Sequence, residues 1–222
     1  MLGSLQKFIK YCKYWLTAAN GKGHGIHSPF VFKFVLDVLN DERFFYAFEN
    51  IESIVNADLN NKKYNRLLFK ICNYYQPKSI LLIDETIGIT TSYIALTNSD
   101  ASVYSYFSQA NNIAKAKAVT TKCKVENCNF TTNLTEIQSY DLVYINAQNN
   151  SQLDTVLQQI LPALHSQSIL LIDNIHSNKQ FEAQWQQLKS NSAVTLTIDL
   201  FQMGLVFFRP ENKIAQHFTI RF

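Results

Sequence analysis

The sequence predicts an α/β protein in three layers: a mostly parallel sheet between helices, closed at one side by an antiparallel hairpin. Three observations predict it. Short apolar runs without polar alternation, such as Ser79–Ile83 and Ser168–Asp173, have the pattern of strands covered on both faces. Between the runs lie helix-length segments with apolar residues three and four apart, the alternation that builds parallel βα units. The last two runs, Val194–Leu200 and Gly204–Phe208, are joined only by Phe201-Gln202-Met203, too short for a crossover. That pair must be antiparallel.

The elements follow in order. Leu5–Thr17 places Leu5, Phe8, Ile9, Cys12, Trp15 and Leu16 on one helical face. Such a face suits a membrane surface or a dimer, but packing against the helix's own domain is the simpler expectation. Residues Asn20–Phe32 (NGKGHGIHSPFVF) hold half of the six glycines, with His24 and His27 interleaved and Ser28-Pro29 set to start a helix. This loop fits a site lining or a hinge with a capping serine, and spacing does not choose between them. Helices are expected over Pro29–Leu39, Asp41 to about Ala57, and Tyr64–Tyr75, with a polar break at Asp58–Lys63.

The organising stretch is Lys78–Leu96 (KSILLIDETIGITTSYIAL), a buried strand, a turn through Asp84, Glu85 and Gly88, and a helix opening at Thr90. Then come strand Val103–Phe107, helix Gln109 to about Lys122, a weaker strand near Asn129–Thr132, and strand Asp141–Asn146. Helix Ser151–Leu164, strand Ser168–Asp173 and helix Lys179–Lys189 precede the hairpin. His165, placed late in the helix after the fourth strand, reads as a helix C-terminal cation. The sheet so counted has seven strands.

Bulk properties narrow the function classes. A chain of 222 residues suits one α/β unit (residues 77–222) with an N-terminal helical extension (residues 1–76). A net charge of +3 gives no footprint for nucleic acid. No window is long and apolar enough to span a membrane, and the lysine-bearing N-terminus lacks the shape of a secretory signal. The four cysteines form no CxxC pair and no metal-ligand spacing, so reduced thiols in a cytoplasm are expected. The N-terminal helix and the closing hairpin are each compatible with a homodimer.

The segments NGKGHGIHSPFVF, ILLIDETIGITT, DLVYIN, LLIDNIH and TIDLFQMGLVFFRPENKIAQHFTIRF resemble class I S-adenosylmethionine-dependent methyltransferases, in particular methyltransferase-like proteins largely from Bacteroidetes. The resemblance covers nearly the whole chain. It implies a Rossmann-like methyltransferase sandwich, S-adenosylmethionine as cofactor and a small-molecule oxygen or nitrogen as methyl acceptor. It also implies a cofactor site built from Asp84, Glu85, Gly88, Phe107 and Asn146.

At these positions the chain departs from the family pattern. Leu82 stands where the resemblance puts an acid at the first strand, and Asp84 where the first glycine of the turn is; only Gly88 of the turn remains. Whether Asp84 or Glu85 instead holds the cofactor's amino group is open. Phe107 replaces the acid that accepts hydrogen bonds from the ribose hydroxyls, although its ring could stack on adenine. Asn146 replaces the acid of an I-D-G-x-H ending. Asp173-Asn174 resembles the metal-binding pair of catechol-type O-methyltransferases, implying a divalent cation such as magnesium. The competing reading has both residues capping the following turn. His24, His27, His176 and His217 are candidates for a general base, with His27 and His176 foremost. Four departures in one site favour an inactive pseudo-methyltransferase, serving as a binding or scaffold module, over an active enzyme. A pocket adapted to another ligand is a third reading.

Overall fold

The computed structural model describes residues 4–55, 59–83, 87–134, 139–147 and 153–222. Among them is an eight-stranded sheet in the order β3-β2-β1-β4-β5-β7-β6-β8. The strands are β1 (Ser79–Ile83), β2 (Ser102–Tyr106), β3 (Cys128–Thr131), β4 (Tyr140–Asn146), β5 (Leu164–Asp173), β6 (Leu196–Asp199), β7 (Met203–Phe207) and β8 (Gln216–Thr219). Strand β7 runs antiparallel to both β5 and β6, while β8 lies parallel to β6. The α/β sandwich with an antiparallel hairpin is as expected. The strand count is corrected from seven to eight, because β8 on the open edge adds a strand.

Successive residues of the central strands feed opposite cores, as a period of two requires. Ile80 and Leu82 of β1, with Leu142 and Tyr144 of β4, face helices α2 (Pro29–Phe34), α4 (Leu59–Tyr75) and α5 (Ile89–Ala95). Leu81, Ile83, Val143 and Ile145 face α7 (Leu153–Ile160) and α8 (Lys179–Lys189) on the other side. Those two packed faces make the three layers. Helix α3 (Tyr46–Ile54) adds an aromatic satellite in which Phe48 meets Phe69 and Tyr93. Helix α6 (Ala110–Lys122) follows β2 and packs on α5.

Several local expectations are corrected. The helix expected from Asp41 begins only at Tyr46, because the Asp41 carboxylate accepts from the Arg43 backbone N–H and pairs with its guanidinium, fixing a turn instead. The helix after β4 ends at Ile160, a short 3-10 turn spans Leu161–Ala163, and β5 begins at Leu164. His165 is therefore a strand residue, with Nε2 3.1 Å from Oδ1 of Asp141, and not a helix C-terminal cation.

Helix α1 (Ser4–Thr17) departs most from expectation. It does not bury its apolar face: Leu5 is 69%, Phe8 65% and Leu16 74% exposed, with Ile9 and Trp15 also exposed. It is seated by the opposite side, where the buried Tyr14 donates its hydroxyl to the Ile220 carbonyl and Lys10 pairs with Glu182. The rings of Tyr11 and Tyr14 both pack on Phe201, at 5.1 Å. Directly after α1, the Ala19 N–H donates to the Thr219 carbonyl (2.8 Å), and the Arg221 N–H donates back to Ala19 (3.0 Å). The two ends of the chain are clasped along β8.

Candidate functional site

The order β2-β1-β4 places a topological switch between β1 and β4: the chain moves outward from β1 to β2 and β3, then returns to the other side at β4. Helical connections leave such a point in opposite directions. A crevice opens at the carboxyl ends of the two strands, and ligands of open α/β sheets bind there.

Asn146 ends β4 beside this crevice, and its register partner on β5 is Asp173. The Oδ1 atom of Asn146 is buried and has no hydrogen-bond partner. A buried amide oxygen left unpaired costs about 1–3 kcal/mol, so its presence at a strand end marks a place where a donor belongs.

Asp173 sits in a dry environment. Burial raises its pKa, against the Asn174 N–H donating to Oδ1 at 2.9 Å and the Gln202 and Tyr144 side chains, and the result is about 6. The Tyr144 hydroxyl lies 3.3 Å from Oδ2. The folded protein therefore holds the Asp173 proton more tightly than the unfolded chain does. This contribution to stability is fully present below about pH 4 and is lost as pH rises through 6. Asp173→Asn has no charge to bury, so it should gain on the wild type by about 3 kcal/mol between pH 4 and 7. Urea melts at several pH values measure this; a difference that is flat with pH would mean that Asp173 ionises normally.

Asp84 and Glu85 lie outside the described residues. Gly88 is buried at the start of α5 with φ +85°, and a Cβ there would lie 2.6 Å from the Ala116 carbonyl oxygen. Contact with α6 thus already requires a glycine, before any ligand is considered. Leu82 is fully buried in the core, as an apolar residue in mid-strand should be. Phe107, just after β2, is 1% exposed and stacks on Phe130 with ring centroids 6.2 Å apart. It presents no face to a ligand in this arrangement, which removes the expected adenine platform.

Both residues of the expected metal pair, Asp173 and Asn174, serve the turn after β5: Asn174 takes a left-handed φ of 62°, and its N–H donates to Gln202 and Asp173. Asn is among the few residues that tolerate this conformation. Among the described residues no group of three or more His, Cys, Asp and Glu side chains is placed to hold a cation.

The histidines are not brought together. His27 is exposed, just before the α2 cap Ser28. The chain then carries Phe30 onto Phe207, which pairs with Leu196 at the amino end of β6 and with Ile169 in the middle of β5. His27 therefore leads toward the edge opposite the crevice, and His24 is exposed on the same loop. His217 lies on β8, its Nδ1 2.9 Å from the Thr197 hydroxyl.

His176 is held at both ring nitrogens, by Asp199 at 2.8 Å and Glu182 at 3.2 Å. Burial alone would lower its pKa, but the two carboxylates outweigh burial and raise it. A histidine so committed supports the α1 seat, where Lys10 shares Glu182. It has no lone pair free to act as a base. Asp199 and Glu182 come from other elements at unrelated spacings, so no local pattern in the sequence announces the trio.

The residues present therefore meet one demand of an S-adenosylmethionine site and miss another. Asn146 offers a free acceptor at the switch point. The end of β2 offers a buried phenyl ring where ribose hydroxyls need an acceptor.

No protein-family model matches the chain, and no curated protein does. Solved structures do. It is similar to the S-adenosylhomocysteine-bound methyltransferase PaMTH1 of Podospora anserina, with a TM-score of 0.61 at 12% identity over 94% of this chain and 97% of that one. It is similar to TomG of Streptomyces achromogenes, an O-methyltransferase of tomaymycin synthesis in complex with SAM (0.58, 13% identity, 78% and 96% covered). An O-methyltransferase of Bacillus cereus in complex with SAH matches at 0.56 and 15% identity, over 80% and 96%. At these identities the likeness shows the Rossmann-like methyltransferase fold and nothing finer.

Proposed function

We propose that this chain is a class I S-adenosylmethionine-dependent methyltransferase acting on an oxygen or nitrogen of a small molecule, with its cofactor in the crevice between β1 and β4. The observation that carries the reading is the buried, unpaired Oδ1 of Asn146 at the switch point, where a donor from a ligand would satisfy it. The similar proteins described as bound to SAM or SAH support the cofactor class. Asp173, one strand away with its pKa near 6, is placed to take a hydrogen bond or a proton from an acceptor hydroxyl. The protein's share of such a transfer is alignment of the two reactants and exclusion of water.

Phe107 favours a second reading, in which the fold has lost its cofactor and remains as a binding or scaffold module. By the family resemblance Phe107 stands at the ribose-side position, and its buried ring accepts no hydrogen bond. Isothermal titration with S-adenosylmethionine and S-adenosylhomocysteine separates the two. Binding at micromolar strength, about −8 kcal/mol, that weakens roughly tenfold or more in Asn146→Leu supports the enzyme. No heat up to millimolar ligand overturns it and leaves the module.

A further inference from the structure

Half of the large apolar side chains that stand exposed among the described residues lie on α1. At 3.6 residues per turn, Leu5, Phe8, Ile9, Trp15 and Leu16 share an arc of about 120°. Tyr14 and Lys10 point the other way, into the domain. The helix is thus mounted with its apolar side outward. Burying such a face in the same chain would have been the default, and its exposure marks a contact surface.

The charge around this face selects the partner. Lys13 is exposed and borders the arc on one side, while the exposed Lys7 lies on the seated side near Tyr14 and Tyr11. The Arg221 guanidinium lies over the Trp15 ring at 4.3 Å, and Lys63 lies over Phe222, whose N–H donates to the Tyr14 hydroxyl. Helix α1 contains no acid. The nearby carboxylates are already engaged, Glu182 by Lys10 and His176, and Asp199 by His176 and the Phe201 N–H. A second copy docked through the same face would set lysine beside lysine, with no carboxylate on the helix to compensate. An anionic bilayer surface complements both features: acyl chains take the apolar arc, headgroup phosphates take Lys13 and Arg221, and Trp15 sits at the boundary.

We propose that α1 is an interfacial anchor that holds this protein on an anionic lipid surface, lying in its plane with Leu5, Phe8, Ile9 and Leu16 inserted. No helix among the described residues is long and apolar enough to cross a membrane. Contact of this kind needs no crossing, and it replaces the sequence-based expectation of no membrane partner. It does not depend on whether the switch-point crevice binds a cofactor.

The test is flotation of the full chain with phosphatidylglycerol–phosphatidylcholine vesicles and with pure phosphatidylcholine vesicles. Binding is expected to the anionic vesicles at least tenfold more strongly than to the neutral ones, with weakening at high salt. Removing Lys13 as K13Q should weaken it by roughly fivefold. The variant F8S/L16S should abolish it, with an unchanged thermal melt because both side chains are exposed in the wild type. Equal affinity for neutral vesicles, or no binding to either, overturns the proposal. So does a concentration-dependent dimer lost in F8S/L16S without vesicle binding, which would assign the face to a second copy.

Discussion

Replacing Gly88 by alanine should lower the melting temperature by about 6–12 °C, the equivalent of roughly 3 kcal/mol in a chain of this size. Two penalties combine. The backbone has φ +85° and ψ 1°, a left-handed conformation that an L side chain enters at a cost of about 1 kcal/mol or more. The new Cβ would also stand 2.6 Å from the Ala116 carbonyl oxygen and 2.9 Å from its Cα. Both are backbone atoms within α6. They cannot rotate away, and Thr120 donates its hydroxyl to that same carbonyl. Helix α6 must shift bodily, which is the overpacking case. Thermal unfolding followed by circular dichroism reads the result. A loss under about 1 kcal/mol would show that α6 yields freely, returning Gly88 to the role that its place in the loop suggested, close approach of a ligand.

Trp185→Ala should cost about 3 kcal/mol, whereas Trp185→Phe should be close to neutral. The indole of Trp185 is 2% exposed, among Val206 of β7 and the apolar residues of α7 and α8. Gly204 on β7 leaves the space it fills: a Cβ there would lie 2.7 Å from the indole ring. Truncation opens a cavity against the strand that pairs with Asp173 and Ile172. A loss of about 3–5 kcal/mol is usual for such a change. The lower end applies because the indole N–H is buried without a partner and its removal recovers part of the loss. Phenylalanine keeps most of the volume and drops that N–H. Urea titration of both variants checks the pair; if Trp185→Phe lost as much as Trp185→Ala, the packing account would be wrong.

The parts of the fold that were legible in the sequence are those whose burial leaves a pattern. Strands β1, β4 and the second half of β5 are apolar on both faces and were bounded to within a residue or two. The hairpin followed from a link too short to do anything else. Strand β8 escaped because Gln216–Thr219 is short, at an edge and only partly buried. Amphipathicity located the apolar stripe of α1 correctly but carries no information about which side docks. That was decided by Tyr14, Tyr11 and Lys10 meeting Ile220, Phe201 and Glu182, contacts spanning much of the chain. In the site, the adjacency of Asn146 and Asp173 was implicit in two parallel strands ending in register. The commitment of His176 to Asp199 and Glu182 was not, since side chains from a loop, a strand and a helix meet only after the sheet is complete. The fate of Phe107 depended on Phe130, a full helical crossover away in sequence but adjacent across β2 and β3.

The clasp between Ala19 and the Thr219–Arg221 segment has a consequence in time as well as in space. It closes a loop of about two hundred residues, among the most entropically demanding pairings this chain can make. Nothing compensates that closure until β6 has found β7 and β8 has been laid beside it. On a chain emerging from the ribosome, α1 is made long before β8, and its clasp closes only once β8 is in place. It therefore lacks this clasp while the residues between α1 and β8 are being made, free to find another surface before its own domain offers one.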